Sequence, residues 1–224
     1  MSLAQGAVVI TFRLLTSLIC QIDDSQLGKV PDKGPLIIIT NHTNVLEIPI
    51  IYTRLQPRPV TGFVAAERWE HTWSRWLLDA CQAVPVRRGE PDVTAIRRGL
   101  DLLKKGYFVI VMPEGTRSGD GRMQRGHPGV VLLGLNSGAP LLPVAFYGGE
   151  GYKENLRRLR RTDFHLAVGR PFYLDPGREK VTRPVRHLMV DEVMFQVARL
   201  LPEGNRGVYA GVEGVTSKYL RFLS

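Results

Sequence analysis

Short apolar runs with no polar alternation recur along this chain, and they constrain its fold more than any other feature. Leu36-Ile37-Ile38-Ile39 is bounded by Gly34-Pro35 and by a polar cluster, so Pro35 to Thr40 reads as a strand covered on both faces rather than one with a wet side. Val60 to Ala66, Ala83 to Val86, Tyr107 to Met112, Leu141 to Phe146 and Phe164 to Val168 read the same way. Helical patterns lie between them, at Pro49 to Leu55, in a Trp-rich stretch from Trp69 to Cys81, at Asp92 to Lys105 and at Gly129 to Asn136. In the third, Asp92 caps the start, Ile96, Leu100 and Leu103 line one face, Lys104 and Lys105 suit the negative end of the dipole, and Gly106 stops it. Val185, Leu188, Met189, Val193, Val197 and Leu200 mark a further amphipathic helix ending near Leu201. Alternating strands and helices predict an α/β fold, a mostly parallel twisted sheet with flanking helices, whose ligands gather beyond the strand ends.

At 224 residues, with no repeat and no low-complexity linker, the chain fits one hydrophobic core. The expected organisation is an N-terminal helix over 1–24, one catalytic domain over 25–204 and a weakly patterned, Gly-rich tail over 205–224. Cys20 and Cys81 have no paired spacing and are expected to be buried thiols in a reducing compartment.

Ala7 to Ile22 is a nearly unbroken apolar run in which Arg13, Thr16, Ser17 and Cys20 recur at helical spacing. One narrow polar stripe and one broad apolar face suit an amphipathic helix lying in the plane of a membrane, and equally a helix packed on the core. The run is short of a spanning helix and lacks the basic flank of a signal peptide. Thirty Lys and Arg against 21 Asp and Glu give a formal charge of +9, which calls for an anionic partner. Arg157, Arg158, Arg160 and Arg161 are the densest basic patch, readable as a lipid-headgroup contact or as a solvated helix face. An aromatic content of 8% without a nucleic-acid motif argues against nucleic acid as that partner. Trp69, Trp73 and Trp76 fit an interfacial belt, but their spacing is more typical of a core-facing stripe.

Two polar blocks follow apolar strands, where a site is expected. In Asn41-His42-Thr43-Asn44-Val45-Leu46-Glu47, a histidine that takes a proton from a hydroxyl could be held in one tautomer by the carboxylate. No protein nucleophile accompanies the pair, so the hydroxyl it activates would be the substrate's own. The alternative is that Glu47, three residues after Asn44, closes a capping box; Pro49 argues instead for a helix that begins at Pro49 and leaves Glu47 free. In Met112-Pro113-Glu114-Gly115-Thr116-Arg117-Ser118, a glycine turn beside an arginine can cradle a phosphate, or be a plain turn.

Taken in order, Asn41 to Glu47, Gln82 to Arg88, Met112 to Ser118 and Pro140 to Val144 resemble the four signature blocks of the glycerolipid acyltransferase family that includes 1-acylglycerol-3-phosphate acyltransferases. The resemblance covers roughly residues 30 to 175 and implies a glycerol-3-phosphate acyltransferase-like fold. It implies that His42 is the base and Glu47 the acid that orients it. It also places Arg88, Glu114, Gly115, Thr116 and Arg117 in the acceptor site, Arg88 and Arg117 on the phosphate. Glu47 stands where most glycerolipid members have aspartate, Gln82 replaces the usual glycine, Met112 the usual phenylalanine, and Arg68 stands near a position that often holds lysine.

The implied reaction moves a fatty acyl group from acyl carrier protein or coenzyme A onto the free hydroxyl of a lysophospholipid, 1-acylglycerol-3-phosphate first. Another lipid acceptor, such as a lyso-aminolipid or a glycolipid, is the alternative, and a noncatalytic basic membrane- or nucleic-acid-binding module a remote one. No metal and no bound cofactor is expected. The expected location is peripheral or monotopic, on the cytoplasmic face of a cell membrane among its lipids.

Overall fold

The structure is a computed structural model that describes residues 3–87, 92–213 and 215–223. In chain order it forms α1 (Leu3–Ile19), β1 (Cys20–Asp23), β2 (Leu36–Thr40), α2 (Glu47–Arg54), β3 (Val60–Ala65), α3 (Thr72–Ala80), β4 (Val84–Val86) and α4 (Val93–Lys104). There follow β5 (Phe108–Val111), α5 (Gly129–Ser137), β6 (Leu141–Tyr147), α6 (Tyr152–Arg157), β7 (Thr162–Val168), β8 (Phe172–Leu174), α7 (Arg183–Ala198) and β9 (Leu220–Phe222). The strands make one sheet in the order β1-β7-β6-β2-β5-β3-β4, with β8 joining β6 to β9. The five strands from β6 to β4 in that order are mutually parallel, while β7 runs antiparallel to β6 and carries β1 parallel to itself.

The unbroken apolar character of β2 follows from its central place. Leu36 and Ile38 face a core layer with Ile50 and Ile51 of α2, Leu55 just beyond it and Val9 of α1. Ile37 and Ile39 face the opposite layer, with Leu103 of α4, Val130 and Val131 of α5, and Met189, Val193 and Val197 of α7. Each such side chain, at 0 or 1% exposure in β2, contributes about 1.5–3 kcal/mol relative to an exposed one. The parallel register then sets β2, β5 and β6 level, Ile39 opposite Val111 and Thr40 opposite Val144, so their carboxyl ends open on one edge.

Helix α1 packs on α2 and buries Val8, Val9 and Thr16, whose hydroxyl bonds back to the Phe12 carbonyl at 2.7 Å. The polar stripe is divided: Thr16 is buried, Arg54 donates to Ser17 Oγ at 3.0 Å and Cys20 is buried in β1, outside the helix, while Arg13 is exposed. Leu3, Ile10, Leu14 and Leu18 are 63–96% exposed and span an arc of about 80° on the far side. Arg161 donates to the Ser17 and Cys20 carbonyls at 2.9 and 2.6 Å, capping the negative end of α1. One arginine of the basic patch is thus committed to the fold, and two others share Glu154 at 2.8 and 3.7 Å. Among the described residues no helix is long and apolar enough to cross a membrane.

Several expectations change. Helix α2 starts at Glu47 rather than Pro49, which the first turn tolerates because its N–H groups have no intrahelical partner. The Trp-rich stretch divides into a 3-10 turn, Ala66–Trp69, and α3, and its tryptophans do not face the core: Trp73 is 71% and Trp76 57% exposed, while Trp69 bonds Asp79 at 2.9 Å. Cys20 is buried, but Cys81 is only partly so, beside Tyr52. The segment beyond 205 is fastened to the domain: β9 pairs with β8, and the buried Glu192 of α7 accepts from the Lys218 and Tyr219 amides at 2.9 Å each. The boundary expected at 24 likewise falls where β1 has just joined the sheet.

Gln82, where the resembled family carries glycine, has φ of 53°. Side chains in that left-handed region crowd the following carbonyl; here Tyr107 donates to Gln82 Oε1 at 2.7 Å and Thr61 Oγ1 to its carbonyl at 2.6 Å, which hold it there. Gln82→Gly and Gln82→Ala both lose the Tyr107 bond, but only the alanine retains the strain. The glycine variant should be the more stable of the two by about 1 kcal/mol, the reverse of the usual order. Denaturant midpoints check this, and an alanine midpoint at or above the glycine one would mean that the turn carries no strain.

Candidate active site

The site grows from the carboxyl ends of β2 and β5. Beyond Thr40 the Asn41 side chain continues the pairing with β6: it donates to the Phe146 carbonyl and accepts from the Phe146 amide, both at 2.8 Å. The amide side chain thus acts as one more strand residue and aims the next one, His42, off the sheet edge. Asn44 turns the loop, accepting from Leu46 N at 2.8 Å and donating to the Gly149 carbonyl at 3.3 Å. Gly149 has no room for a side chain, since a Cβ would stand 2.5 Å from the Phe164 ring and 2.7 Å from Asn44 Nδ2.

Glu47 is fully buried at 0% exposure, and a buried carboxylate survives only if its lone pairs are met. Oε1 accepts from Thr43 N at 2.7 Å, Thr43 Oγ1 at 2.5 Å and Asn44 N at 3.0 Å. Oε2 lies 2.7 Å from His42 Nδ1. A carboxylate only accepts, so Nδ1 carries the proton and the Nε2 lone pair is left for another group, on a side chain 20% exposed. Capping and orienting are therefore not alternatives. One oxygen of Glu47 satisfies the amides ahead of α2 while the other holds the histidine.

The second block crosses to the first. Ser118 N donates to the His42 carbonyl at 3.0 Å, which sets Arg117 one residue from the histidine loop. Gly115, Thr116 and Arg117 are exposed, with Gly115 at φ of 70°. Gly115 also has His127 against it, a Cβ there standing 3.3 Å from His127 Cδ2, and His127 N donates to the Pro113 carbonyl at 2.8 Å. Glu114 departs from its expected place in the acceptor site. It is 2% exposed and turned inward, Oε1 accepting from His42 N at 2.9 Å and Oε2 from Gln124 N at 2.8 Å. The turn divides the block: Pro113 and Glu114 are buried, and Gly115, Thr116 and Arg117 face out. Burial pushes its carboxyl up to about 7 against the pull of the Gln124 and His42 amides, with the charges of Glu47 and Asp120 adding to the rise.

Arg88 lies outside the described residues. Arg68 is exposed on the 3-10 turn that follows β3. Asn41, Thr43, Asn44 and Ser118 are the supporting residues that motif reading left without a role; the polar density of the 41–44 segment was their only signal, because their partners lie up to 105 residues away. His127 gave none. Among the described residues no group of three His, Cys, Asp or Glu side chains could hold a metal ion. A shallow cavity of about 420 Å³ beside Gly34, Lys104 and Asn136 lies at the amino end of the sheet, away from His42, and holds no reactive constellation.

An α/β sheet with a histidine–carboxylate pair at its carboxyl edge defines the class, and comparison with known proteins narrows it. The acyltransferase family model matches residues 21–147, more than half of the chain, and the chain belongs to that family. A chloroplast 1-acyl-sn-glycerol-3-phosphate acyltransferase of Brassica napus is 30% identical over 117 residues, 51% of this chain and 33% of that one. The enzyme of the same name from Bacillus subtilis is 26% identical over 145 residues, 64% and 70% of the two chains. A lyso-ornithine lipid O-acyltransferase of Pseudomonas aeruginosa is 26% identical over 119 residues, 53% and 45%. The chain thus spans a third to a half of the length of several relatives it matches. The crystal structure of the 1-acyl-sn-glycerophosphate acyltransferase from Thermotoga maritima has the same fold, with a TM-score of 0.60 at 21% identity over 84% of this chain and 76% of that one.

Glu114 binds its proton more tightly folded than unfolded, since about 7 lies above the ordinary 4.5. Its contribution to stability is therefore fully present below the lower value and is lost as pH rises to the upper one. Between pH 5 and 7.5 the protein should lose up to about 3 kcal/mol of unfolding free energy relative to Glu114→Gln, whose amide does not titrate. Parallel denaturant curves at the two pH values measure the difference, and equal slopes would show that the carboxyl is not perturbed.

Proposed function

We propose that this chain transfers a fatty acyl group from a thioester, on acyl carrier protein or coenzyme A, to the free hydroxyl of 1-acylglycerol-3-phosphate, giving phosphatidate. The observation that carries the reading is the 2.7 Å contact of His42 Nδ1 with the buried Glu47, which leaves Nε2 basic and accessible at the open edge of the sheet. Nε2 takes the proton of the acceptor hydroxyl as its oxygen bonds to the thioester carbonyl carbon. The tetrahedral intermediate then expels the thiolate, which recovers the proton from the imidazolium, while Glu47 stabilises that cation throughout. Arg117, with the Gly115–Thr116 turn, grips the acceptor phosphate in a two-pronged manner; Arg88 is assigned to the same group on the family resemblance alone. The names of the Brassica and Bacillus relatives support a phosphate-bearing acceptor.

The lipid substrate enters from a membrane. Leu3, Ile10, Leu14 and Leu18 of α1 and Trp73 and Trp76 of α3 are exposed on two helices that touch. Moving their exposed parts into lipid is worth on the order of 1 kcal/mol each, and tryptophans suit the headgroup level. On this reading these helices lie on the bilayer surface, and the net charge of +9 suits an anionic, cytoplasmic leaflet.

A lyso-aminolipid acceptor is the second reading, favoured by the Pseudomonas relative. Arg117→Ala separates the two: the acceptor KM for 1-acylglycerol-3-phosphate should rise about tenfold or more, while transfer to a lyso-ornithine lipid, which lacks phosphate, should not change. Faster wild-type turnover on the ornithine lipid would favour the second reading. His42→Ala should lower turnover by about 100- to 10,000-fold with vesicle binding intact, and an active variant would end the mechanism. Leu14→Asp combined with Trp73→Ala should release the protein from vesicles in a sedimentation assay, while undiminished binding would move the membrane contact elsewhere.

A further inference from the structure

Within the acyl-transfer reading, on which this inference rests, Glu47 accounts for the ring of His42 but not for its main chain. His42 stands in a loop, and a base whose Cα shifts by an ångström loses its alignment even when its ring keeps a carboxylate. The His42 main chain is gripped on both sides from the end of β5. Its N–H donates to Glu114 Oε1 at 2.9 Å, and its carbonyl accepts from Ser118 N at 3.0 Å. The other oxygen of Glu114 accepts from Gln124 N at 2.8 Å, on the chain that leads to His127 and α5.

We propose that Glu114 is a positioning residue, a buried strut that fixes the His42 main chain against the 113–126 loop and so sets where the base stands relative to an acceptor held by Arg117. Three observations exclude a direct contact with substrate. The side chain is 2% exposed, both oxygens are taken by main-chain amides, and the acceptor turn at Gly115 to Arg117 faces the other way, into solvent. Among the described residues neither amide has a second acceptor that could replace the carboxylate. Glutamine in its place would meet one amide with oxygen and the other with its own NH2, donor against donor. Aspartate, one methylene shorter, would reach at most one of the two.

The test uses the full chain, steady-state kinetics on 1-acylglycerol-3-phosphate with an acyl thioester, and amide hydrogen exchange. Glu114→Gln and Glu114→Asp should each lower kcat by about 10- to 100-fold with the acceptor KM within about twofold of wild type. A raised acceptor KM at unchanged kcat would overturn the proposal by making Glu114 an acceptor contact, and unchanged kinetics in both variants would overturn it outright. In the wild type the His42 and Gln124 amides should exchange slowly, and rapid exchange of either overturns the strut even if a variant does not fold. Loss of His42 amide protection in Glu114→Gln, with the protection of β2 retained, supports it. These exchange measurements need no turnover. A wild-type protein inactive on all lysolipids but with both amides protected would therefore sink the acyl-transfer reading and leave the strut standing.

Discussion

One fully buried carboxylate organises this site. Glu47 meets three donors on one oxygen and the His42 ring on the other, and those contacts leave little capacity for further partners. Removing any donor would leave charge unmet in a place that water does not reach, which is why the loop before α2 folds back so tightly on itself. The same four contacts that make the carboxylate tolerable choose the histidine tautomer. Stability of the loop and basicity of Nε2 therefore rest on one arrangement rather than two.

The sheet makes that arrangement useful. Parallel β2, β5 and β6 end level with one another, so loops far apart in the chain meet on one edge. Asn41 reaches Phe146, Asn44 reaches Gly149, and Glu114 and Ser118 reach the His42 main chain. The floor of the site is tied across by these hydrogen bonds, though the buried Ser118 hydroxyl has no partner among the described residues, while the turn from Gly115 to Arg117 stays exposed. A base held from several strands thus stands beside an exposed rim.

Helix α1 shows how one element can serve two environments. Its inner face packs on α2, its carboxyl end is held by Arg161, and its outer face presents leucines where a soluble protein would place charges. The exposed tryptophans of α3 lie alongside. Val8, Val9 and Thr16 are buried and Ser17 bonds Arg54, yet Leu3, Ile10, Leu14 and Leu18 are left outside, more apolar surface than an ordinary surface helix exposes.

Local chemistry made much of this legible beforehand. The runs that became β2, β5 and β6 announce central strands because burial on both faces leaves no polar alternation, and α4 is bracketed by Asp92, which accepts from Ala95 N at 2.9 Å, and Gly106, at φ of 82°. His42 and Glu47 are five residues apart, near enough for sequence to pair them. What sequence could not decide depends on partners brought from elsewhere. Strands β1, β8 and β9 are three or four residues long, too short to show a period, and exist only because a neighbour offers an edge. The tryptophan spacing fits a buried or an exposed stripe equally, and only the packing of α1 against α2 and α3 leaves it outside. Glu114 stands in a block that reads as substrate-binding, yet its direction was set by amides at 42 and 124, and no residue beside it in the chain records where those would lie. Sequence alone determined which groups could do chemistry and on which strands they stand; tertiary structure decided which way each faces, because a buried polar atom turns toward whatever partner the fold delivers to it.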